Sequence, residues 1–229
     1  MVDDRLTRLG AAAAGRIEDG MLVGLGTGST AEAMVQALGA RVGGGLSITG
    51  VATSFRTAEL ARSFGIPLKE LAEIDRLDLC IDGADEIDPA LNLVKGRGGA
   101  LLFEKLVARR ADRYLIIATD EKLVDRLGVR MPLPVEIVPT GWTHTAEAIA
   151  ALGLAPGLRR IDGGTAYLTD GGHYIVDCAW PDDHQFDPAT LAAALKALTG
   201  VVDHGLFISM ADTALTVDAA GAITEHRRP

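Results

Sequence analysis

The sequence predicts an α/β protein: a doubly wound parallel sheet with a smaller α+β unit inserted late in the chain. Two observations carry that expectation. As far as residue 125 or so, short apolar runs alternate with helical segments, the pattern of parallel strands joined by crossover helices. After Met131-Pro132-Leu133-Pro134, where the prolines stop any helix, the order changes to strand, helix, two strands, helix, strand.

In the first part, Met21 to Leu25 reads as a buried strand, followed by a helix over Thr30 to Val42. Ile48 to Ala52 is a second strand, leading to the helical stretch Arg56 to Phe64. Leu77 to Ile81 is a third, and the helix Ala100 to Ala111 precedes the strand Tyr114 to Ala118. Such a Rossmann-like sheet binds ligands beyond the carboxyl ends of its strands, where the Gly-rich and carboxylate-rich loops of this chain fall. In the second part, Val135 to Val138 is a strand and Thr143 to Leu152 a helix. Ala166 to Thr169 and His173 to Cys178 form a hairpin around Asp170-Gly171-Gly172, whose Asp-Gly favours a tight turn. Pro188 to Leu198 is an amphipathic helix and Val201 to Ile208 a final strand, completing a ferredoxin-like βαββαβ order. Thr213 to Val217 and Ala222 to Glu225 then rejoin the main sheet. The expected division is residues 1–130 plus 208–229 for the Rossmann-like catalytic domain and 131–207 for the smaller one.

Hydrophobic residues make up 48% of the 229 and charged residues 23%, the balance of a folded globular chain. With 31 acidic against 22 basic residues and no Lys/Arg run beyond two, neither nucleic acid nor an anionic membrane is an expected partner. Cys80 and Cys178 lie on strand-like runs without CxxC pairing and read as thiols. The start, Met1-Val2-Asp3-Asp4, is acidic where a signal peptide is basic, and no apolar stretch approaches the roughly 20 residues that span a bilayer. These features lead us to expect a cytoplasmic protein.

Gly24-Leu25-Gly26-Thr27-Gly28-Ser29-Thr30 joins the first strand to its helix. Glycines let backbone N–H groups approach an anion, and the helix N-terminus adds unpaired donors and partial positive charge. The dinucleotide fingerprint needs a third glycine where Ser29 stands and an acid where Thr53-Ser54 stand, and the triphosphate loop needs Gly-Lys-Ser/Thr. A small phosphate fits; a Ser29–Glu32 capping box is the alternative for those two residues.

Asp82-Gly83-Ala84-Asp85-Glu86 follows the third strand, and a turn opened by Gly83 lets Asp82 and Asp85 both face the cleft. The same residues could instead cap backbone donors. The five histidines are scattered, which disfavours a transition-metal site. Lys95-Gly96-Arg97-Gly98-Gly99 precedes the next helix, where Lys95 is placed to stabilise an oxyanion or to remain a solvated lysine. On that helix Glu104 has Ala100, Leu101, Val107 and Ala108 as its neighbours three and four positions away, all apolar. A carboxylate on a buried face gains basicity, which suits a general base; the alternative is a side chain that reaches out to solvent.

Taken in order, Gly26-Thr27-Gly28-Ser29-Thr30, Asp82 to Glu86, Lys95 to Leu101, Glu104-Lys105, Pro132 to Glu136, Gly200-Val201-Val202 and Gly205-Leu206-Phe207 closely resemble type A ribose-5-phosphate isomerase. The resemblance runs nearly the whole chain. It implies interconversion of D-ribose 5-phosphate and D-ribulose 5-phosphate through an enediolate, in the non-oxidative pentose phosphate pathway, with no metal, nucleotide or other cofactor. By that resemblance Glu104 carries a proton between C2 and C1, and Lys95 steadies the oxyanion. Asp82 and Asp85 contact sugar hydroxyls and assist ring opening. Thr27, Gly28, Ser29 and Thr30 form the substrate loop, with Gly83, Ala84, Gly96, Arg97, Gly98 and Lys122 as further binding positions. Arg97 stands where some members carry glycine. The resemblance also implies a homodimer or homotetramer.

Two other readings compete. A sugar-phosphate-sensing module of a regulator would keep the phosphate loop, have no need of Glu104 and add a DNA-binding segment, for which some 20 residues before the first strand leave little room. A sugar-phosphate deaminase of similar architecture would release ammonia from an amino sugar phosphate.

Overall fold

Strands form where β-branched and apolar residues run without interruption, and helices where those residues recur every three or four positions. The computed structural model describes residues 4–161 and 164–228; Met1 to Asp3, part of the acidic start, lie outside the described residues. Helix α1 (Asp4–Ala14) precedes β1 (Leu22–Leu25), α2 (Ser29–Gly43), β2 (Thr49–Ala52), α3 (Phe55–Ser63) and β3 (Leu79–Gly83). The short strands β4 (Glu86–Ile87) and β5 (Leu93–Val94) follow, then α4 (Leu101–Ala108) and β6 (Tyr114–Thr119). Next come β7 (Leu133–Ile137), α5 (Trp142–Ala150), β8 (Ala155–Leu158), β9 (Tyr174–Ala179), α6 (Pro188–Lys196) and β10 (Val201–His204). The chain closes with β11 (Leu206–Phe207), β12 (Thr213–Val217) and β13 (Ile223–Arg227).

The main sheet runs β13-β12-β6-β3-β1-β2, all parallel but for the antiparallel edge strand β13. It is buried on both faces, as a parallel sheet must be. Leu9, Ala13, Met34 and Leu38 of α1 and α2 pack on Val23, Leu25, Ile81 and Ile117. On the other face Val51, Cys80, Tyr114 and Ile116 meet Val107 and Phe207. The chain leaves β1 outward to β2 and then returns past β1 to β3, so the strand order reverses between β1 and β3. That reversal opens a crevice at the carboxyl ends of β1 and β3, where doubly wound sheets bind ligands.

The second sheet is antiparallel in the order β10-β7-β9-β8, the ferredoxin-like arrangement expected from βαββαβ. Leu133, Val135, Ile137, Val176 and Cys178 turn one face toward Ile149, Leu191 and Leu195 of α5 and α6. The expected second strand, Ala166 to Thr169, is not one: β8 occupies that place, paired with β9. Pro156 and Gly157 hide β8 from a propensity reading, yet an edge strand tolerates both. Residues 166–169 instead belong to a loop on which Leu168 is 58% exposed: Ala166 makes an isolated antiparallel bridge to Arg160, and the Asp170-Gly171-Gly172 turn keeps a bond from Thr169 N–H to His173 O at 2.9 Å.

Two boundaries also move. Pro134, assigned to the hinge, lies inside β7, where its carbonyl still accepts from the Gly205 N–H at 2.7 Å. The expected strand Val201 to Ile208 breaks at Gly205, because the Gly205 carbonyl turns to accept from Lys95 N–H at 2.8 Å. The continuation β11 joins β5 and β4 in a three-stranded sheet under the crevice.

Candidate active site

The loop after β1 is held from below. Gly26 lies against Asp82, where a Cβ would come within 2.3 Å of the carboxylate, so only glycine fits. Thr27 N–H donates to Asp82 Oδ1 at 3.1 Å, and the Thr27 hydroxyl meets those of Thr53 (2.8 Å), Ser54 (2.8 Å) and Thr57 (3.0 Å). Thr57 in turn donates to the Gly26 carbonyl at 3.0 Å. The Thr27 hydroxyl is therefore spent on anchoring, whereas the next residues are free. Gly28, with φ of +106°, is the N-cap of α2 and offers no side chain to its first turn. Ser29 is the first helical residue, so the capping-box alternative does not form; Glu32 pairs with Arg56 at 2.8 Å instead. The opening amides of α2 thus face the crevice without side-chain caps, as an anion site requires.

Thirteen of the fourteen expected site residues line one cavity of about 340 Å3: Thr27, Gly28, Ser29, Thr30, Gly83, Ala84, Asp85, Lys95, Gly96, Arg97, Gly98, Glu104 and Lys122. The fourteenth, Asp82, does not face the cleft as expected. It is wholly buried behind the wall, because its carboxylate is claimed by Thr27 N–H, by Gly83 N–H at 2.7 Å and by the Lys95 ammonium at 3.1 Å. The Tyr114 hydroxyl lies 3.5 Å away on its far side.

Glu104 is on the buried face of α4, 5% exposed, and does not reach out to solvent. Its Oε1 is 3.4 Å from Lys95 Nζ, while its Oε2 is buried without a hydrogen-bond partner. Burial, and then the charge of Asp82, push the Glu104 carboxyl up to about 8 in spite of Lys95. Burial raises Asp82 as well, against the pull of Lys95. Burial alone would lower Lys95, but Asp82 and Glu104 more than reverse it, so the ammonium holds its proton. Lys95 also donates to the Gly83 carbonyl. One fixed cation therefore faces two buried carboxyl groups, and the two cannot both stay ionised at little cost.

The opposite rim was invisible to sequence reading. Arg97 is exposed, and its N–H donates to Asp85 Oδ2 at 3.0 Å. Arg159, just beyond β8, donates to the Gly96 and Arg97 carbonyls at 3.0 Å each. Asp170 accepts from Phe55 N–H at 2.8 Å at the start of α3. Neither Arg159 nor Asp170 carries a local signal, since both come from the second sheet's loop. The hydroxyls Thr53, Ser54 and Thr57 did carry one: they follow β2, the neighbour of β1, at the same end of the sheet. Among the described residues no three His, Cys, Asp or Glu side chains converge as metal ligands, and no helix is long and apolar enough to cross a membrane.

The family model of ribose 5-phosphate isomerase A (phosphoriboisomerase A) matches residues 49–221. Ribose-5-phosphate isomerase A of Synechococcus sp. (strain JA-3-3Ab) is 53% identical over 215 residues, covering 93% of each chain. That of Thermomicrobium roseum is 52% identical over 210 residues, 91% of this chain and 88% of its own. A solved D-ribose-5-phosphate isomerase in complex with phospho-erythronic acid superposes with a TM-score of 0.93 at 34% identity, over 100% of both chains. With a matched segment of this extent and relatives this similar, the chain belongs to the ribose 5-phosphate isomerase A family.

Proposed function

We propose that the chain interconverts D-ribose 5-phosphate and D-ribulose 5-phosphate by the following chemistry. The phosphate binds at the start of α2, to the amides and hydroxyls of Ser29 and Thr30, with the Lys122 charge on the same cavity wall. C1 and C2 of the opened sugar then lie beside Glu104 and Lys95. The Glu104 carboxylate takes the proton from C2; the C–H electron pair becomes the C1–C2 double bond, and the carbonyl oxygen on C1 becomes an enediolate oxyanion. Lys95 stabilises that charge. The proton returns from Glu104 to C1, the proton of the C2 hydroxyl passes to the C1 oxyanion to make the C1 hydroxyl, and C2 becomes the ketone, so no electron acceptor is needed. Asp85, in the cavity wall, contacts the sugar hydroxyls and assists ring opening. Asp82 acts from behind by holding Lys95 and the loop at Thr27.

The observation that carries this reading is the unpartnered Glu104 Oε2 in a cavity that also holds Lys95 and the α2 N-terminus. A base matched to neutral pH gains most when its pKa lies near the working pH, as Glu104's does. The ligand of the solved relative supports it: phospho-erythronic acid is a four-carbon acid phosphate, with a phosphate at one end and a carboxylate at the other, as the charge of an enediolate phosphate would be spaced. The proposal extends to a homodimer or homotetramer, on the family resemblance, and to a cytoplasmic protein.

The test is turnover of ribose 5-phosphate by purified protein after treatment with a chelator. Sustained formation of ribulose 5-phosphate is expected. Absence of turnover before and after chelation, or ammonia release from an amino sugar phosphate in its place, would overturn the assignment.

A further inference from the structure

We propose that Arg159, outside the cavity and on the second sheet, is a positioning residue that orients Asp85 through a single peptide group. The inference rests on the isomerase reading above for its kinetic consequences, and on geometry for the rest.

The peptide between Gly96 and Arg97 is gripped at both ends. Its carbonyl, on Gly96, accepts from Arg159 Nη1 at 3.0 Å; its N–H, on Arg97, donates to Asp85 Oδ2 at 3.0 Å. A trans peptide is a rigid plane whose C=O and N–H point in opposite directions. Fixing the carbonyl outside the cavity therefore fixes the direction in which the N–H meets Asp85 inside it. A cation on the carbonyl also polarises the group and strengthens the hydrogen bond from its N–H.

Arg159 is itself immobilised. Nε donates to Asp177 Oδ2 at 2.8 Å, Nη2 donates to Asp177 Oδ1, and Nη1 also reaches the Arg97 carbonyl at 3.0 Å. The guanidinium carbon lies 5.8 Å from the centre of the Tyr167 ring, and the side chain is 15% exposed. Nε and both terminal nitrogens of the planar fork are in use, an arrangement a lysine ammonium cannot reproduce. Among the described residues the Arg97 N–H is the hydrogen-bond donor to the Asp85 carboxylate, which makes that peptide the group that sets it.

The experiment is a double-mutant cycle of Arg159→Ala and Asp85→Ala, with kcat, KM and melting temperature measured for each protein. With hydrogen bonds of ordinary strength at stake, Arg159→Ala should lower kcat about tenfold when Asp85 is present and less than about twofold when Asp85 is already alanine. Arg159→Lys keeps the charge and the fold but not the fork, and should lose kcat several-fold; it carries the test if the alanine variant does not fold. Wild-type kcat in either Arg159 variant, or an equal loss with and without Asp85, overturns the proposal. Calorimetric binding of phospho-erythronic acid by the same four proteins separates the two claims. Coupled losses in binding without wild-type turnover would overturn the isomerase reading alone.

Discussion

Two buried lysines, Lys95 and Lys105, flank the same ring, with Nζ 5.5 and 4.7 Å from the centre of Phe207. They are 2% and 4% exposed, and each donates to a backbone carbonyl and meets a buried or half-buried aspartate. Their protonation nonetheless moves in opposite directions. Burial lowers Lys105 to about 8 although Asp203 pulls it upward. Lys95 is raised, because Asp82 and Glu104 together outweigh the same burial. The number of carboxyl groups facing the ammonium decides the outcome. One carboxylate is too few to offset the burial of Lys105, and Asp203, which also meets Lys196 at 3.2 Å, is held down at about 2 by Lys105 although burial works upward on it. Two carboxyl groups on one ammonium leave a surplus, and the surplus is Glu104, raised to about 8 and open to the cavity. The Lys105 pair ties α4 to β10; the Lys95 cluster, on the cavity side of the same helix, is suited to proton transfer.

The largest effect expected from breaking this contrast is at Glu104. Glu104→Gln keeps the shape and removes the base, so kcat should fall on the order of a hundredfold or more in a steady-state assay. Lys105→Met should act on stability instead. Asp203 keeps Lys196 at 3.2 Å and the His204 N–H at 2.8 Å, so the loss by urea unfolding should be about 1–3 kcal/mol, that of one charged hydrogen bond, while kcat of the folded fraction changes far less than in Glu104→Gln. Ser29→Ala should raise KM several-fold and leave kcat near wild type, on the order of one hydrogen bond to the phosphate. An unchanged KM would reduce Ser29 to a helix-starting residue.

The smallest effect concerns pH. A carboxyl raised in the folded state binds a proton that the unfolded chain has already lost, so its contribution favours folding at low pH. That contribution disappears as pH rises from the ordinary glutamate value through about 8. Glu104→Gln lacks this penalty, and its unfolding midpoint should drop less than wild type's between pH 5 and pH 9.

Much of this contrast was legible before any coordinates. Apolar neighbours on both sides of Glu104 along α4 indicated burial, and strand-to-helix loops rich in glycine or aspartate indicated a ligand at the sheet's carboxyl edge. The alternation of elements indicated the main sheet and three strands of the second, because the burial of those strands is written in their own residues; the small sheet β11-β5-β4 was not indicated. Less visible was anything decided by a partner far along the chain. Lys105 is bound by Asp203, 98 residues away, and Asp82 is withdrawn behind the wall by Thr27 and Lys95. Glu86 looked like part of the acidic cluster, yet it is buried and accepts N–H bonds from Arg130 and Met131 at 2.6 and 3.2 Å. The proline and glycine of β8 contradict local strand propensity, and only its place at the sheet edge permits them. The division into residues 1–130 plus 208–229 and 131–207 stands as our proposal for the domains.

The central claim is that Glu104 moves the proton between C2 and C1. Its most direct test is isomerisation of ribose 5-phosphate in deuterated water, followed by NMR of the product. The account predicts deuterium at C1 of ribulose 5-phosphate with the wild-type protein, in the share of turnovers in which the proton on Glu104 exchanges with solvent before it is delivered, and a parallel loss of exchange and turnover in Glu104→Gln. Exchange and turnover in Glu104→Gln at near wild-type rates would contradict it.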